Sequence, residues 1–252
     1  MDNDERKGCV GCRVEGAELP ELAMAFQPIV DLHSGDTFAY EALVRGPRQE
    51  PAGAVMAAIP ADRIYAFDQQ CRIRALETAK QVGLDRTAAL LSIKFLPKAV
   101  YNPRACIQLT LETAERVAFP TDRILFEFTE TETFADVGHV RGIIETYRSL
   151  GFRTAIDDFG SGHSGLTLLA DLQPDIVKLD MQLIRGIDRD HRRRAIVKAV
   201  QALSEDLGIT LVAEGVETGE EHSALEDLGI RYLQGYLFAR PAFMALPEVT
   251  WP

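Results

Sequence analysis

The chain is poor in several things at once, and each shortage removes a class of protein. It has four cysteines in 252 residues, too few for a disulfide scaffold at this length. No run approaches the ~18–20 continuous apolar residues that cross a bilayer, so no membrane association is expected. The opening Met1-Asp2-Asn3-Asp4-Glu5-Arg6-Lys7 is polar, with no apolar stretch behind it. Export is therefore not expected, and the cytoplasm is the expected location. Positive charge is scarce: 27 Lys and Arg stand against 38 Asp and Glu, a formal charge of −11. Such a chain lacks the basic face that binds polymeric nucleic acid by displacing counterions. Linkers are missing too. Without a Ser/Gly/Pro-rich break or low-complexity segment, residues 21–252 read as one domain behind a flexible tail, residues 1–20.

What the chain does contain is the makeup of a globular protein, 46% apolar and 26% charged. Cys71 and Cys106 lie in apolar helical patterns and read as buried thiols. Cys9 and Cys12 form a CxxC in the polar tail, but neither Cys71 nor Cys106 makes the second close pair that a zinc knuckle needs. Two thiols on a flexible tail is the plainer reading, against metal or redox chemistry. The basic run His191-Arg192-Arg193-Arg194 precedes an amphipathic pattern and reads as a solvated helix start or an interface.

Eight short β-type runs follow one another: Ala25–Leu32, Thr37–Val44, Ala89–Phe95, Arg123–Phe128, Thr154–Asp157, Asp175–Leu179, Thr210–Ala213 and Arg231–Tyr236. Helical patterns lie between most of them, over Asp62–Val82, His139–Leu150, Ala195–Leu207 and Thr218–Leu228, with Gly151, Gly208 and Gly229 as the stops of the last three. Alternating strand and helix predicts an α/β protein with a mainly parallel sheet, and eight strands favour a (β/α)8 barrel. The first two strands are joined only by His33–Asp36. Four residues cannot make a parallel crossover, so this pair is predicted to be an antiparallel hairpin, and one barrel strand runs backwards.

The chemistry sits where the strands stop. Glu41 lies in the second strand; Glu127 and Glu130 end the fourth; Asp157 and Asp158 end the fifth; Lys178 and Asp180 end the sixth; Glu214 and Glu217 end the seventh; Gln234 lies in the eighth. In a parallel barrel these ends share the face that carries active sites. Singly, Asp157-Asp158 could open a helix, Glu214 and Glu217 could start another, and Lys178 could be a salt-bridge partner. Their joint placement is harder to dismiss. So many acids at one mouth would repel each other unless neutralised, and Mg²⁺ or Mn²⁺ suits carboxylate oxygens. The adjacent Asp157-Asp158 pair suits two ions sharing one carboxylate, an arrangement that activates water and steadies the leaving oxygen of a phosphoester.

With these motifs the sequence resembles the EAL-domain cyclic di-GMP phosphodiesterases from about Phe26 to Pro241. The likeness rests on Phe26-Gln27-Pro28-Ile29-Val30, Glu41-Ala42-Leu43-Val44-Arg45, Glu127-Phe128-Thr129-Glu130 and Asp157-Asp158-Phe159-Gly160-Ser161-Gly162. Lys178-Leu179-Asp180, Ala213-Glu214-Gly215-Val216-Glu217 and Gln234-Gly235-Tyr236 complete it. The resemblance implies a modified (β/α)8 TIM-type barrel with one antiparallel strand, and hydrolysis of cyclic di-GMP to linear pGpG with Mg²⁺ or Mn²⁺ at a two-metal site. It implies that Glu41, Glu127, Asp157 and Asp158 are metal ligands, with Glu214 against the metal site. Lys178 looks like the residue that contacts and activates the water, with Gln234 helping to place it. Glu130 looks like the acid steadying the loop after Asp158, and Glu217 like a support behind the site. Gln27, Leu43, Arg45 and Asp180 look like substrate contacts, Arg45 as a fork for a phosphate. A homodimer near the loop after Asp158 is also implied.

One departure stands out. Family members carry Asn where this chain has Lys94, and that Asn offers an oxygen to one metal. A protonated lysine has no lone pair to offer and repels a cation beside it. The expectation is that one metal binds weakly, or that Lys94 turns away or replaces that metal electrostatically. Two functions follow: an active phosphodiesterase, or a non-catalytic module that binds cyclic di-GMP or a protein partner.

Overall fold

The computed structural model describes residues 19–132, 136–162 and 165–252. Cys9, Cys12 and nearly all of the expected tail lie outside the described residues. The eight expected strands are all present: β1 Ala23–Asp31, β2 Asp36–Arg45, β3 Leu90–Lys94, β4 Ile124–Thr129, β5 Arg153–Phe159, β6 Ile176–Leu179, β7 Thr210–Ala213 and β8 Tyr232–Leu233. They close into a ring, because β1 pairs with β2 along one edge and with β8 on the other. Strands β2 to β8 run parallel, and β1 is antiparallel to both neighbours. The reversed strand is thus as the short connection requires. Gly35, in the turn, takes φ +72°, a conformation that strains other residues, and its N–H donates to the Asp31 carbonyl at 2.9 Å.

Among the described residues, eight α-helices accompany the ring: α1 Ala52–Ala57, α2 Ile64–Gln81, α3 Pro103–Val117, α4 Val137–Ser149, α5 Gly165–Leu172, α6 Met181–Ile184, α7 His191–Leu207 and α8 Gly219–Asp227. Helices α4, α7 and α8 end just before Gly151, Gly208 and Gly229, as the sequence pattern predicts. The basic run begins α7, and the Asp190 side chain caps that helix by accepting from the backbone N–H groups of Arg192 and Arg193. Cys106 is buried and Cys71 half-buried, and both are free thiols. No helix among the described residues is long and apolar enough to cross a membrane.

Two features escape the sequence pattern. A ninth strand, β9 Ala242–Phe243, pairs with the first half of β1, beyond the two-residue β8. Two residues after a proline carry no periodicity by which to be noticed. On α2, Asp68, Gln69 and Arg72 are buried rather than solvated. Arg72 is fully enclosed and paired with Asp68, and Tyr147 of α4 lies 3.4 Å from its guanidinium. The second Asp68 oxygen accepts the Leu96 N–H at 2.9 Å, which braces the chain just after β3.

The barrel's lower end is closed by another ion pair. Arg231, just before β8, forks onto Asp31 at the end of β1 with contacts of 2.7 and 2.5 Å. The guanidinium hydrogen bond holds the Asp31 carboxyl at about 2, below its ordinary 3.8. Asp31 therefore contributes stability above its unfolded pKa, and that contribution fades as pH falls through the native value. We expect Asp31→Asn to lose about 1 kcal/mol at pH 7 in urea unfolding, and the gap from the wild type to narrow below pH 4. An equal gap at pH 7 and pH 3 would show that charge is not its source.

Candidate active site

The site follows from strand alternation. A layer of apolar side chains fills the barrel interior: Ile29, Ala39, Leu90, Leu125, Ala155, Ile176 and Val212, with Phe38 and Tyr232 packed against them. Side chains on a strand return to the same face every second residue. Two residues further along the parallel strands stand Glu41, Ser92, Glu127, Asp157, Lys178 and Glu214, and Gln234 beyond Tyr232. On the reversed β1 the same step runs backwards, from Ile29 to Gln27, which pairs in register with Glu41. One more step along β3 brings Lys94, opposite Glu127. The polar ring is thus the next storey above an apolar floor.

Asp158 needs a further device, since consecutive strand residues point to opposite faces. The β5–β6 register shifts between Ile156 and Phe159, and Asp158 takes φ +54°. This left-handed turn, tolerated by aspartate better than by most residues, brings both carboxylates to one mouth. Oxygens of Asp157, Asp158 and Glu214 lie within 4.8 Å of one another, and so do those of Glu41, Glu127 and Asp157. Asp157 belongs to both groups.

Lys178 is fully buried at the centre. Its Nζ lies 2.6 Å from Glu214, 3.1 Å from Glu127, 3.3 Å from Asp157 and 3.4 Å from Glu41. Gln234 donates to the Glu41 Oε2 at 2.7 Å. Lys94, half-exposed, reaches Asp157 at 2.7 Å and Glu41 at 3.6 Å. Five carboxylates therefore meet two ammonium groups, and three negative charges are uncompensated if all ionise.

That imbalance sorts the acids. Burial works to raise Asp157, but Lys178 and Lys94 outweigh it and hold the group at about 2. Glu41 is likewise lowered by the two lysines against its burial. Burial pushes Glu127 up to about 7, helped by the Glu41 and Asp157 charges. Burial also raises Glu214 and, with Asp157 beside it, Asp158. Lys178 is desolvated and Lys94 partly so, yet the carboxylates around them push their pKa values up, so both are firmly ammonium.

A cavity of about 250 Å³ opens above the ring, lined among others by Gln27, Glu41, Lys94, Asp158, Asp180, Glu214, Glu217 and Gln234. Asp180 caps α6 by accepting from the Gln182 N–H. Glu217 sits at the rim, paired with Arg185 at 2.8 Å. Glu130 is buried below the loop after Asp158 and accepts from the N–H groups of Gly160 and Gly162 at 3.0 and 3.3 Å. Leu43 and Arg45 do not line this cavity. Leu43 lines an adjoining apolar one of about 320 Å³, and Arg45 is turned to the Val44 carbonyl at 2.8 Å. Met181 and Tyr236 line the site without having been singled out in the sequence. Tyr236 stood beside Gln234 in a quoted motif, while nothing in the sequence marks Met181.

The donor set fits a hard divalent cation. It is all oxygen, it carries excess negative charge, and the buried Glu127 Oε1 has no hydrogen-bond partner.

Fold and site together define a (β/α)8 barrel with one reversed strand and an acid-ringed mouth. The comparisons agree with it. Residues 14–241 match the family model described as "EAL domain", and the chain belongs to the EAL family. It is 38% identical to the cyclic di-GMP phosphodiesterase RocR of Pseudomonas aeruginosa over 237 residues, covering 90% of this chain and 59% of RocR. A stand-alone EAL protein from Vibrio cholerae O395, solved in its c-di-GMP-bound form, superposes with a TM-score of 0.88 at 50% identity, covering 93% of this chain and 98% of that one. Klebsiella pneumoniae BlrP1, solved as a manganese/cy-diGMP complex, gives a TM-score of 0.88 at 36% identity over 94% of this chain and 60% of that one. The chain spans less than two-thirds of the curated relatives' lengths, RocR's included.

Proposed function

We propose that this protein is a cyclic di-GMP phosphodiesterase that yields linear pGpG, with Mg²⁺ or Mn²⁺ as cofactor. The observation that carries the reading is the convergence of Asp157 and Asp158 with Glu41, Glu127 and Glu214 around a buried lysine. Glu41, Glu127, Asp157 and Asp158, with Glu214 against them, are the residues that would hold divalent cations at the two carboxylate groups. Such a cation supplies Lewis-acid stabilisation of the phosphoester and a lowered pKa for bound water. Lys178, kept as an ammonium, acts as a donor that holds the attacking water and offsets developing charge; it is not a base. Glu214 fixes Lys178, and Gln234 fixes Glu41. Glu130 holds the loop that follows the Asp pair, and Glu217 with Arg185 supports the rim. Gln27 and Asp180 face the ligand cavity, and Leu43 and Arg45 adjoin it, with Arg45 swinging from the Val44 carbonyl to a phosphate. The catalytic unit is residues 21–252. We place the protein in the cytoplasm, as a homodimer.

A second reading has one observation in its favour, the Lys94 ammonium among the acids. It makes the protein a receptor that binds cyclic di-GMP, or a protein partner, without turnover. Titration of Mg²⁺ or Mn²⁺ against conversion of cyclic di-GMP to pGpG separates the two. Turnover that EDTA abolishes is expected, with Asp157→Asn lower by about 10³-fold or more, since it serves both carboxylate groups. Tight ligand binding without hydrolysis at any metal concentration would favour the receptor.

A further inference from the structure

The two carboxylate groups are not equally free. In the Glu41–Glu127–Asp157 group, cations already attend both oxygens of two members. Asp157 Oδ2 faces Lys94 at 2.7 Å and its Oδ1 faces Lys178 at 3.3 Å. Glu41 Oε1 faces Lys94 at 3.6 Å, and its Oε2 faces Lys178 at 3.4 Å and Gln234 at 2.7 Å. The other group shares Asp157, and its Glu214 gives one oxygen to Lys178 at 2.6 Å, but the Lys94 ammonium does not reach Glu214. Asp158 makes no ion pair among the described residues and opens on the cavity.

We propose that Lys94 is the resident cation of the Glu41–Glu127–Asp157 group, so that the protein holds one divalent ion tightly, at Asp157, Asp158 and Glu214. This rests on the reading above that the mouth binds divalent ions, and it assigns Lys94 a positioning role rather than a catalytic one. The reason is elementary. An ammonium offers three donors and no lone pair, so it satisfies carboxylates without ligating a metal. A second ion among the same oxygens would stand within a few ångströms of that charge and compete with it for Glu41 and Asp157. Reach and register make the substitution possible. Lys94 lies one step above the polar ring, opposite Glu127, and its side chain bends back over Glu41 and Asp157.

The test is Mn²⁺ titration of the metal-free full chain, by calorimetry and by low-temperature electron paramagnetic resonance. The wild type is expected to take one Mn²⁺ with the spectrum of an isolated ion, a second binding at least about a hundredfold more weakly. Lys94→Asn, which removes the ammonium and adds an oxygen, is expected to take two with similar affinity and to show a spin-coupled pair. Lys94→Gln is a second variant of the same kind, and thermal unfolding within a few degrees of the wild type confirms that each folds. A wild type with two equal, coupled ions, a wild type with none, or a Lys94→Asn protein that stays at one would each overturn the inference. Its failure is separable from failure of the hydrolase reading. One bound Mn²⁺ without turnover leaves Lys94's role standing and defeats hydrolysis, whereas turnover with two equal ions does the reverse.

Discussion

Lys178→Met is expected to destabilise the metal-free protein by about 3–5 kcal/mol near pH 8, the range found when one partner of a buried ion cluster is removed. Four carboxylates within 3.4 Å of one ammonium lose their common counterion, and three of them, Glu41, Glu127 and Asp157, are buried. The sign of the pH dependence follows. While Lys94 stays with Asp157 and Glu41, burial and the neighbouring acids already raise Glu127 and Glu214 above their ordinary values, and loss of Lys178 raises them further. Their protonated forms are then favoured in the folded state, so stability is retained in acid and lost as pH rises through the raised values. Urea unfolding of the metal-free variant should therefore show a smaller deficit at pH 5 than at pH 8, and Mn²⁺ should recover part of it. Turnover should fall by about 10³-fold, because a donor preset for developing charge has gone. Equal stability of variant and wild type at pH 8 without metal would mean that the lysine is not what holds the ring together.

Gly235→Ala is expected to be damaging for a different reason. A Cβ at Gly235 would lie 1.9 Å from the Val216 carbonyl oxygen and 2.4 Å from its nitrogen. These are backbone atoms of the segment that follows β7, and that segment is tied to this one on both sides. Val216 N–H donates to the Gln234 carbonyl, and Leu237 N–H donates to the Val216 carbonyl. Nothing flexible can yield, so the chain after β8 must move away, and Gln234 loses its position on Glu41. A loss of about 3 kcal/mol or more is expected in urea unfolding, with reduced turnover in whatever remains folded. Gly53→Ala in α1 is the control. A Cβ there meets nothing within 4 Å, and alanine favours a helix, so that variant should match or exceed the wild type. If the two substitutions behave alike, the close approach at Gly235 does not matter.

Most of the barrel was legible because each strand declares itself locally. The runs around Leu91, Phe126 and Val177 are apolar and bounded by turns, and a four-residue connection forces a reversal whatever lies elsewhere. The short elements were not legible. β9 fills the edge of β1 that β8 leaves open when it stops after two residues, a fact about neighbours far along the chain. Arg72 is similar. On its helix it reads as one more solvated cation, and only the packing of α2 against α4 encloses it with Asp68 and Tyr147.

The division for the site is just as physical. Which side chains reach the mouth is already written in the strands, since a period of two places Glu41, Glu127, Asp157, Lys178 and Glu214 one step above the apolar residues before them. The sequence likewise makes the acids outnumber the cations. The tertiary structure alone decided how they meet. Strand register set Lys94 opposite Glu127, the shift in β5 turned Asp158 to the side of Asp157, and ring closure brought Gln234 to Glu41 from the far end of the chain. Alternation is a property of one strand. Register, closure and the sharing of a lysine among four acids are properties of pairs of strands, and no single stretch of sequence contains them.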